Sequence, residues 1–374
     1  MNTSIYSHKH IVLCEDHYNP LGIIRSLGEE GVSPIVLLSG KRPCMIPRSK
    51  YIGELHLFNT IDEAFQYMVD TYGNESLKPF VYNGSDEITL LLDNNYDLLK
   101  DKFFFFNGEG KLARNLQKYE MTKLAEECGI LIPKEEFLKV GVLPTKLKYP
   151  VITKAATSTI GSWKNQSFVC ENEEELKIAY RKISAEYILV QEYIERKNEL
   201  CIDGISINGG DGVFMPYCCT YYRFPRGSYG NYMHYIPFNN QELTEKITKV
   251  LKGAKYSGIF CIEFLIGPDD NFYFLEVNYR HSGWSYGYTY GGYNLPVRWA
   301  ISTLNREIDK ADFKYLDGFD QMQELSDFKD SVLGHVVPLS QWIKEVKRCD
   351  TLLYYNKKDP KPFWGVLRNK VLKY

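Results

Sequence analysis

Two apolar runs separated by five turn-forming residues constrain the fold of this chain more than any other stretch. The runs are Ile259–Ile266 and Phe272–Val277, both rich in aromatic and β-branched residues, and the residues between them read Gly-Pro-Asp-Asp-Asn. Such runs around a cluster of turn residues are typical of an antiparallel β-hairpin. We therefore expect two paired strands here, with a tight reversal between them.

The register of this hairpin predicts a metal site. If the loop contains four residues, Gly267 pairs with Phe272, and counting back along both strands places Glu263 opposite Glu276. Asn278 lies on the same face because side chains repeat every two residues along a strand. Facing carboxylates repel each other, and a hard cation that prefers carboxylate and amide oxygens removes the repulsion. The sequence thus predicts Mg²⁺, or Mn²⁺, held by these three polar side chains.

Two other interpretations of the hairpin stay open at this point. Either glutamate could form a buried ion pair with a distant lysine or arginine. A register slip of one residue would place Glu263 and Glu276 on opposite faces of the sheet.

Composition excludes several classes of protein. The 374 residues carry a net charge of −2, so the overall charge favours neither nucleic acid nor an anionic membrane as a partner. No apolar run approaches the roughly 20 residues needed for a membrane span. Nine scattered cysteines without a C-x-x-C pair predict reduced thiols rather than a disulfide framework or a zinc site. With a polar N-terminus that lacks a signal segment, this predicts a cytoplasmic protein.

The first 110 residues alternate between strand and helix patterns. His10–Cys14, Pro20–Glu30 and Pro34–Leu38 read as strand, helix and strand, and the alternation continues to a buried strand at Phe103–Phe106. This order predicts a small doubly wound α/β domain with a parallel sheet. The turn after the first strand has no G-x-G-x-x-G, so we exclude a dinucleotide site there. The Asn83–Glu87 loop is either part of a ligand site at a strand end or a polar helix cap.

The hairpin motif resembles the metal-binding core of the ATP-grasp superfamily, which includes D-alanine–D-alanine ligase, D-aspartate ligase and biotin carboxylase. The residues that carry the resemblance are Glu263-Phe264 on one strand and Leu275-Glu276-Val277-Asn278 with Arg280 on the other. Among relatives, the branch of D-aspartate ligase and the carbamoyl phosphate synthetase large subunit looks nearest.

The resemblance implies an α/β (α+β) chain with the ATP-grasp fold. Its parts would be an N-terminal doubly wound Rossmann-like domain, a small lid subdomain, a C-terminal antiparallel-sheet subdomain and an extension. The corresponding ranges are 1–112, 113–190, 191–310 and 311–374.

The resemblance also implies a nucleotide site. Lys118, on a helix, and Lys154, at a strand end, correspond to the lysines that reach the nucleotide phosphates. The strand Ile188–Ile194 resembles the adenine hinge, which would use Gln191, Glu192, Tyr193 and Ile194, and Glu199 would hold the ribose. A surface lysine, and an edge strand with a charged turn, are the plain alternatives for these motifs taken singly.

Two arginines complete the implied catalytic set. Arg223, with Arg226 as the second choice, corresponds to the family's cation at the terminal phosphate. Arg280 is placed to grip a substrate carboxylate or the tetrahedral intermediate. The loop at 155–165 departs from the Gly-rich lid of many members, since it has one glycine and a tryptophan.

The implied function is that of a carboxylate–amine ligase dependent on ATP and Mg²⁺ or Mn²⁺. A small-molecule carboxylate would be activated as an acyl phosphate and captured by an amine, and a homodimer is compatible with the family. Three alternatives stay open: another ATP-grasp outcome such as carboxylation or phosphoryl transfer, a non-catalytic nucleotide-binding protein, and a scaffold whose hairpin carboxylates are structural.

Overall fold

The computed structural model describes residues 4–155, 167–225, 230–310 and 314–371 and, of residues 155, 370 and 371, the backbone alone. Within these ranges the chain forms three β-sheets of five, four and eight strands.

The first sheet belongs to an N-terminal α/β domain. Its elements are β1 (His10–Glu15), α1 (Tyr18–Glu29), β2 (Ile35–Ser39), β3 (Glu54–Phe58), α2 (Ile61–Tyr72), β4 (Phe80–Tyr82), α3 (Asp86–Asn94), α4 (Tyr96–Leu99) and β5 (Phe104–Phe105). The strands are parallel in the order β3-β2-β1-β4-β5. The expected doubly wound sheet is confirmed. Its order changes direction between β1 and β4, which opens a crevice at their carboxyl ends.

Strand β3 was missed by the sequence analysis. It lies at the edge of the sheet and pairs only with β2. Leu57, one residue before its end, is 59% exposed, so the apolar residues of β3 do not mark a buried face. Edge strands of this kind carry a weak hydrophobic pattern because half of their surface faces water.

The second sheet is small and antiparallel. Its region contains α5 (Leu112–Asn115), α6 (Lys118–Glu127), β6 (Glu135–Lys139), β7 (Val151–Ala155), β8 (Val169–Cys170), α7 (Glu173–Tyr180) and β9 (Tyr187–Glu192). The strand order is β6-β9-β7-β8. Helix α7 covers one face, where Val151, Leu176 and Ile188 are fully buried. The two central strands therefore hold Lys154 and Gln191 on a rigid support.

The third sheet contains the hairpin and extends to the C-terminal region. Its elements are β10 (Asn198–Ile207), β11 (Gly212–Phe214), β12 (Tyr217–Tyr221), β13 (Tyr232–Pro237), α8 (Gln241–Gly253), β14 (Gly258–Ile266), β15 (Phe272–Asn278), α9 (Ser285–Tyr290), α10 (Leu295–Asn305), β16 (Phe319–Met322), α11 (Glu324–Asp327), a π-helix (Phe328–Leu333), α12 (Leu339–Arg348), β17 (Thr351–Leu352) and α13 (Lys361–Val371). The order is β15-β14-β10-β12-β13-β16-β17, with β11 paired to β10. Within the described ranges, every helix is too short or too polar to traverse a bilayer.

The segment 281–293, which is rich in glycine and tyrosine, contains helix α9. Tyr288 and Tyr293 are fully buried. The Tyr288 hydroxyl accepts a hydrogen bond from the backbone N–H of Asp203 (2.7 Å) and donates one to the carbonyl of Tyr217 (3.0 Å). These two tyrosines therefore pack and form hydrogen bonds inside the protein.

A buried ion pair fastens the C-terminal region to the N-terminal domain. Arg25 of α1 and Asp359 are each 1% exposed and lie 3.2 Å apart. The guanidinium also donates to the carbonyls of Leu353 (2.9 Å) and Tyr354 (2.8 Å). Asp359 accepts further hydrogen bonds from the Ser49 hydroxyl and the Lys50 backbone N–H. Because every charge in this group is paired, removing one partner leaves an uncompensated buried ion.

We expect Asp359→Ala to lower the free energy of unfolding by about 3–5 kcal/mol, because it leaves Arg25 buried without its counter-ion. Urea denaturation of the purified protein measures this change. Asp97→Ala is the matched control, since Asp97 is 89% exposed in its pair with Lys100 and solvent screens that pair. Equal effects of the two substitutions would contradict a stabilising role for the buried Arg25–Asp359 ion pair.

Candidate functional site

The hairpin places Glu263 directly opposite Glu276, as the sequence predicted. The path to this register differs from the expected one. Ile266, not Gly267, pairs with Phe272, so the loop is one residue longer than assumed. A β-bulge at Leu275, which has no partner across the ladder, then restores the predicted register.

The two carboxylates share one donor. The side-chain N–H of Asn278 lies 3.2 Å from Glu263 Oε1 and 3.5 Å from Glu276 Oε1. Burial, followed by the negative charge of Glu276, raises the pKa of Glu263 well above its usual range. The alternative register, with the glutamates on opposite faces, is therefore wrong.

Arg280 joins the hairpin to the N-terminal domain. Its Nη2 donates to Asn278 Oδ1 (3.0 Å), and its Nε lies 3.1 Å from Asp86 Oδ1. In this arrangement the nitrogen of the Asn278 amide, not its oxygen, faces the carboxylates. Coordination of a cation by Asn278 would require its amide to turn over.

The donor set suits a magnesium ion that also binds phosphate. Within the described ranges, no group of three or more His, Cys, Asp or Glu side chains could hold a metal by itself. Glu263 and Glu276 supply two carboxylates, and Mg²⁺ is usually held by one or two carboxylates together with substrate phosphates. The site therefore fits a cation that arrives with a phosphate ligand better than a resident structural ion.

Two lysines lie beside the carboxylates. Lys118, the first residue of α6, places its Nζ 4.0 Å from Glu276 Oε2. Lys154, near the end of β7, is partly buried, and the loss of hydration there, together with the charge of Lys118, lowers its pKa to about 8. Two ammonium groups directed to one place suit an anion more negative than a single carboxylate.

Glu135 belongs to the site and was missed by the sequence analysis. It lies opposite Gln191 in the β6–β9 ladder and accepts hydrogen bonds from the Gln191 side chain and from the Thr122 hydroxyl (2.6 Å). Burial raises the pKa of Glu135, and the charge of Lys154 opposes the rise. The only sequence signal was an acidic residue on a short strand, which is common on protein surfaces.

The hinge strand leaves one backbone donor for a ligand. The N–H groups of Glu192 and Tyr193 donate to the carbonyls of Lys134 (2.9 Å) and Pro150 (3.0 Å). In the described part of the chain, nothing accepts the N–H of Ile194. A cavity of about 510 Å³ borders Tyr193 and Ile194 on one side and the hairpin loop on the other.

Glu199 lies between the hinge and the carboxylates. It is 9% exposed and pairs with Arg196 at 2.8 Å. Burial raises its pKa, and Arg196 opposes that rise. The negative charge of Glu276 and the positive charge of Lys154 also act on it, so Glu199 belongs to the same electrostatic cluster.

Arg223 has partners that the sequence analysis did not foresee. Its guanidinium pairs with Asp327 and Glu345 of the C-terminal region and donates to the Ser331 hydroxyl. Only 12% of its side chain is exposed. Its assignment to a terminal phosphate stays a prediction. The second choice, Arg226, and the predicted lid residues 156–165 lie outside the described residues.

A second cavity, of about 340 Å³, opens at the carboxyl ends of β1 and β4. Its lining includes Glu15, His17, Asn19, Ser85, Asp86 and Arg280. The Ser85 side chain makes no capping hydrogen bond to α3, and Asp86 instead faces Arg280. Burial, then the charge of Arg280, lowers the pKa of His17 to about 4. Arg280 is therefore the cationic side chain of this cavity at neutral pH.

The fold is shared with several solved ligases. An N5-carboxyaminoimidazole synthetase from Staphylococcus aureus superposes with a TM-score of 0.64 at 13% identity, covering 87% of this chain and 86% of that one. An L-amino acid ligase from Bacillus licheniformis gives 0.61 at 14% identity, covering 84% and 79%. A biotin carboxylase–β-γ-ATP complex from Campylobacter jejuni gives 0.65 at 16% identity, covering 83% and 74%.

Comparisons by sequence found no match. No protein-family model matches the chain, and no curated protein matches it. At identities of 13–16%, the structural likeness establishes the fold alone.

The lowered pKa of Lys154 gives a testable stability effect. Below about pH 8 the folded protein holds a charged ammonium in a partly buried position, whereas the unfolded chain keeps the ordinary lysine pKa of 10.5. Folding is thus penalised at neutral pH, and the penalty is relieved as the pH rises from 8 to 10.5.

We expect Lys154→Met to raise the free energy of unfolding at pH 7 by roughly 1–3 kcal/mol, and the gain to shrink towards pH 10. Urea denaturation at both pH values measures it. Lys139→Met, at an exposed position on β6, should show no such pH dependence. A gain that is the same at both pH values would contradict a lowered pKa for Lys154.

Proposed function

The chain has the ATP-grasp fold, and from that premise we propose that it is a carboxylate–amine ligase dependent on ATP and Mg²⁺. The observation that carries the proposal is the single cluster formed by Glu263, Glu276, Lys118, Lys154 and Arg280, which come from the second and third sheets, from α6 and from the segment after β15. Paired carboxylates, two ammonium groups and a guanidinium are the components that phosphoryl transfer to a carboxylate requires.

ATP would lie along the cluster from the hinge to the hairpin. The backbone N–H of Ile194, for which the described residues provide no acceptor, supports placing the edge of the adenine ring beside the 510 Å³ cavity. Glu199 follows five residues later, and its carboxylate would accept hydrogen bonds from the two hydroxyls of the ribose. Lys154 and Lys118 continue this line towards Glu276 and support the phosphates.

Glu263, Glu276 and, after its amide turns over, Asn278 would hold the metal. When bound, Mg²⁺ supplies neutralisation of the charge on the transferring phosphoryl group. The chain itself positions the two carboxylates on adjacent strands and supplies lysine donors to the phosphate oxygens. The hydrogen bond from Arg280 Nη2 to Asn278 Oδ1 would break in this turn, because the Asn278 nitrogen would then face Arg280.

The 340 Å³ cavity is the proposed site of the acid. Its size suits a small molecule, and Arg280 provides a planar fork for a carboxylate. One carboxylate oxygen would attack the terminal phosphorus of ATP, and the bond to the departing ADP oxygen would break. The amine nitrogen would then attack the acyl carbon, the phosphate would leave, and the nitrogen would lose a proton.

A buried carboxylate fixes the segment that follows Arg280. Asp203 is fully buried and accepts hydrogen bonds from the hydroxyls of Ser282 (2.6 Å) and Ser285. Packing of this kind would keep water away from the reacting groups, as an acyl phosphate requires until an amine arrives.

The metal assignment predicts that ATP stabilises the protein against heat only when Mg²⁺ or Mn²⁺ is present. Glu276→Gln removes one anionic ligand and should weaken the ATP–metal complex at least tenfold, or about 1.4 kcal/mol. Thermal unfolding at several metal concentrations measures this. Glu186→Gln, at a site 67% exposed, is the control. A full metal-dependent shift in the Glu276 variant would contradict the assignment.

The ligase assignment predicts hydroxamate formation from ATP, Mg²⁺, the correct acid and hydroxylamine as a substitute amine. We expect Arg280→Ala to lower this rate by roughly 100-fold, the size of effect seen when a donor to developing charge is lost, and to change ATP affinity far less. Arg114→Ala, at an exposed pair with Glu120, is the control. A stable phosphorylated product that no amine alters would show a kinase instead.

A further inference from the structure

Only part of the apolar face of helix α12 is covered by the rest of the protein. Trp342 faces the protein, where its ring lies 5.1 Å from that of Phe328 and its Nε1 donates to Asp327 (3.0 Å). Leu339 and Ile343, on the neighbouring flank of the helix, are 50% and 40% exposed. None of the ten residues of α12 is buried, so the helix lies on the surface with an apolar flank left open.

Two residues shortly before α12 also carry exposed apolar side chains. Leu333 is 62% exposed and Val336 is 45% exposed. Together with Leu339 and Ile343 they form what we call the apolar patch. Four large apolar side chains exposed within eleven residues differ from the scattered exposed side chains that any protein surface carries.

The acidic residue of α12 and its basic residues lie on different faces of the helix. Its one acidic residue, Glu345, turns inward and pairs with Arg223 at 2.7 Å. Its three basic residues, Lys344, Lys347 and Arg348, are exposed. Lys347 continues the row of Leu339 and Ile343 at four-residue spacing, so a cation borders the apolar patch directly.

The chain from residue 328 to residue 374 is also rich in basic residues. Residues 328–374 contain ten Lys and Arg against four Asp and Glu, a net charge of +6, although the whole chain carries −2. The overall charge therefore conceals a basic region.

We propose that α12 and the apolar patch dock on an anionic lipid surface, with the helix axis in the plane of the interface. An apolar flank bordered by lysine and arginine is what an interfacial helix needs, since the side chains enter the headgroup layer while the cations meet anionic lipid. Docking of this kind needs no membrane-spanning segment.

The charges favour lipid over a second copy of the chain. A two-fold dimer would place the same patch against itself and bring Lys344, Lys347 and Arg348 near their own copies. Like charges across an interface oppose association, whereas an anionic surface is complementary to all three.

Sedimentation of the full chain with phosphatidylcholine vesicles, with and without phosphatidylglycerol, tests the proposal. Binding is expected only to the vesicles that contain phosphatidylglycerol, and it should weaken as salt is raised. The triple change of Lys344, Lys347 and Arg348 to Gln should lower the partition coefficient roughly 100-fold, because each basic residue near the surface contributes about a factor of five.

Leu339→Ser combined with Ile343→Ser should also lower binding by at least tenfold. Leu57→Ser, at an apolar position 59% exposed in β3, and the change of Lys123, Lys139 and Lys182 to Gln are the matched controls and should leave binding unchanged. Absent binding, equal binding to both vesicles, or equal loss in the controls would overturn the proposal. So would light scattering that shows a dimer dissociated by the Leu339/Ile343 variant.

Discussion

The facing carboxylates of Glu263 and Glu276 are the constraint on which the rest of the site depends. Two negative charges on adjacent strands repel, and part of that cost appears as the raised pKa of Glu263. The protein offsets the repulsion without removing it: Asn278 donates to both groups, and Lys118 approaches Glu276. A site left partly unbalanced in this way is ready for a cation and an anion that arrive together, and Mg²⁺ with a polyphosphate is such a pair.

The pairing of these carboxylates was predictable although the geometry behind it was not. Alternation and turn residues located the hairpin, but the assumed four-residue loop was too short by one position. The bulge at Leu275 compensates for that difference. A bulge depends on how the backbone twists against β10 and on what each face buries, and neither is written in the local sequence. By contrast, the capping box of Thr60 and Glu63 uses neighbours three residues apart, so its pattern is contained in the local sequence.

Long-range partners set the limit of the sequence analysis within the site. The cluster around Lys118 and Lys154 followed from motif order, because each motif is local and the resemblance supplied their arrangement. Glu135 was missed since its importance comes only from pairing with Gln191, 56 residues away. Arg223 meets Asp327, 104 residues away, and no pattern near it indicates that partner. Residues whose environment comes from distant elements therefore require the structure.

The net charge of the whole chain says little about the C-terminal region. Ion pairs hold this region to the rest of the protein at two places. The ion pair of Arg25 with Asp359 holds it to α1, at the start of which the 340 Å³ cavity opens. Arg223, at the end of β12, holds Glu345 and thereby α12 against the large sheet. At each place an arginine from an earlier part of the chain pairs with an acidic residue of the C-terminal region. The basic residues of α12, Lys344, Lys347 and Arg348, are exposed, so the outer face of this helix is positive.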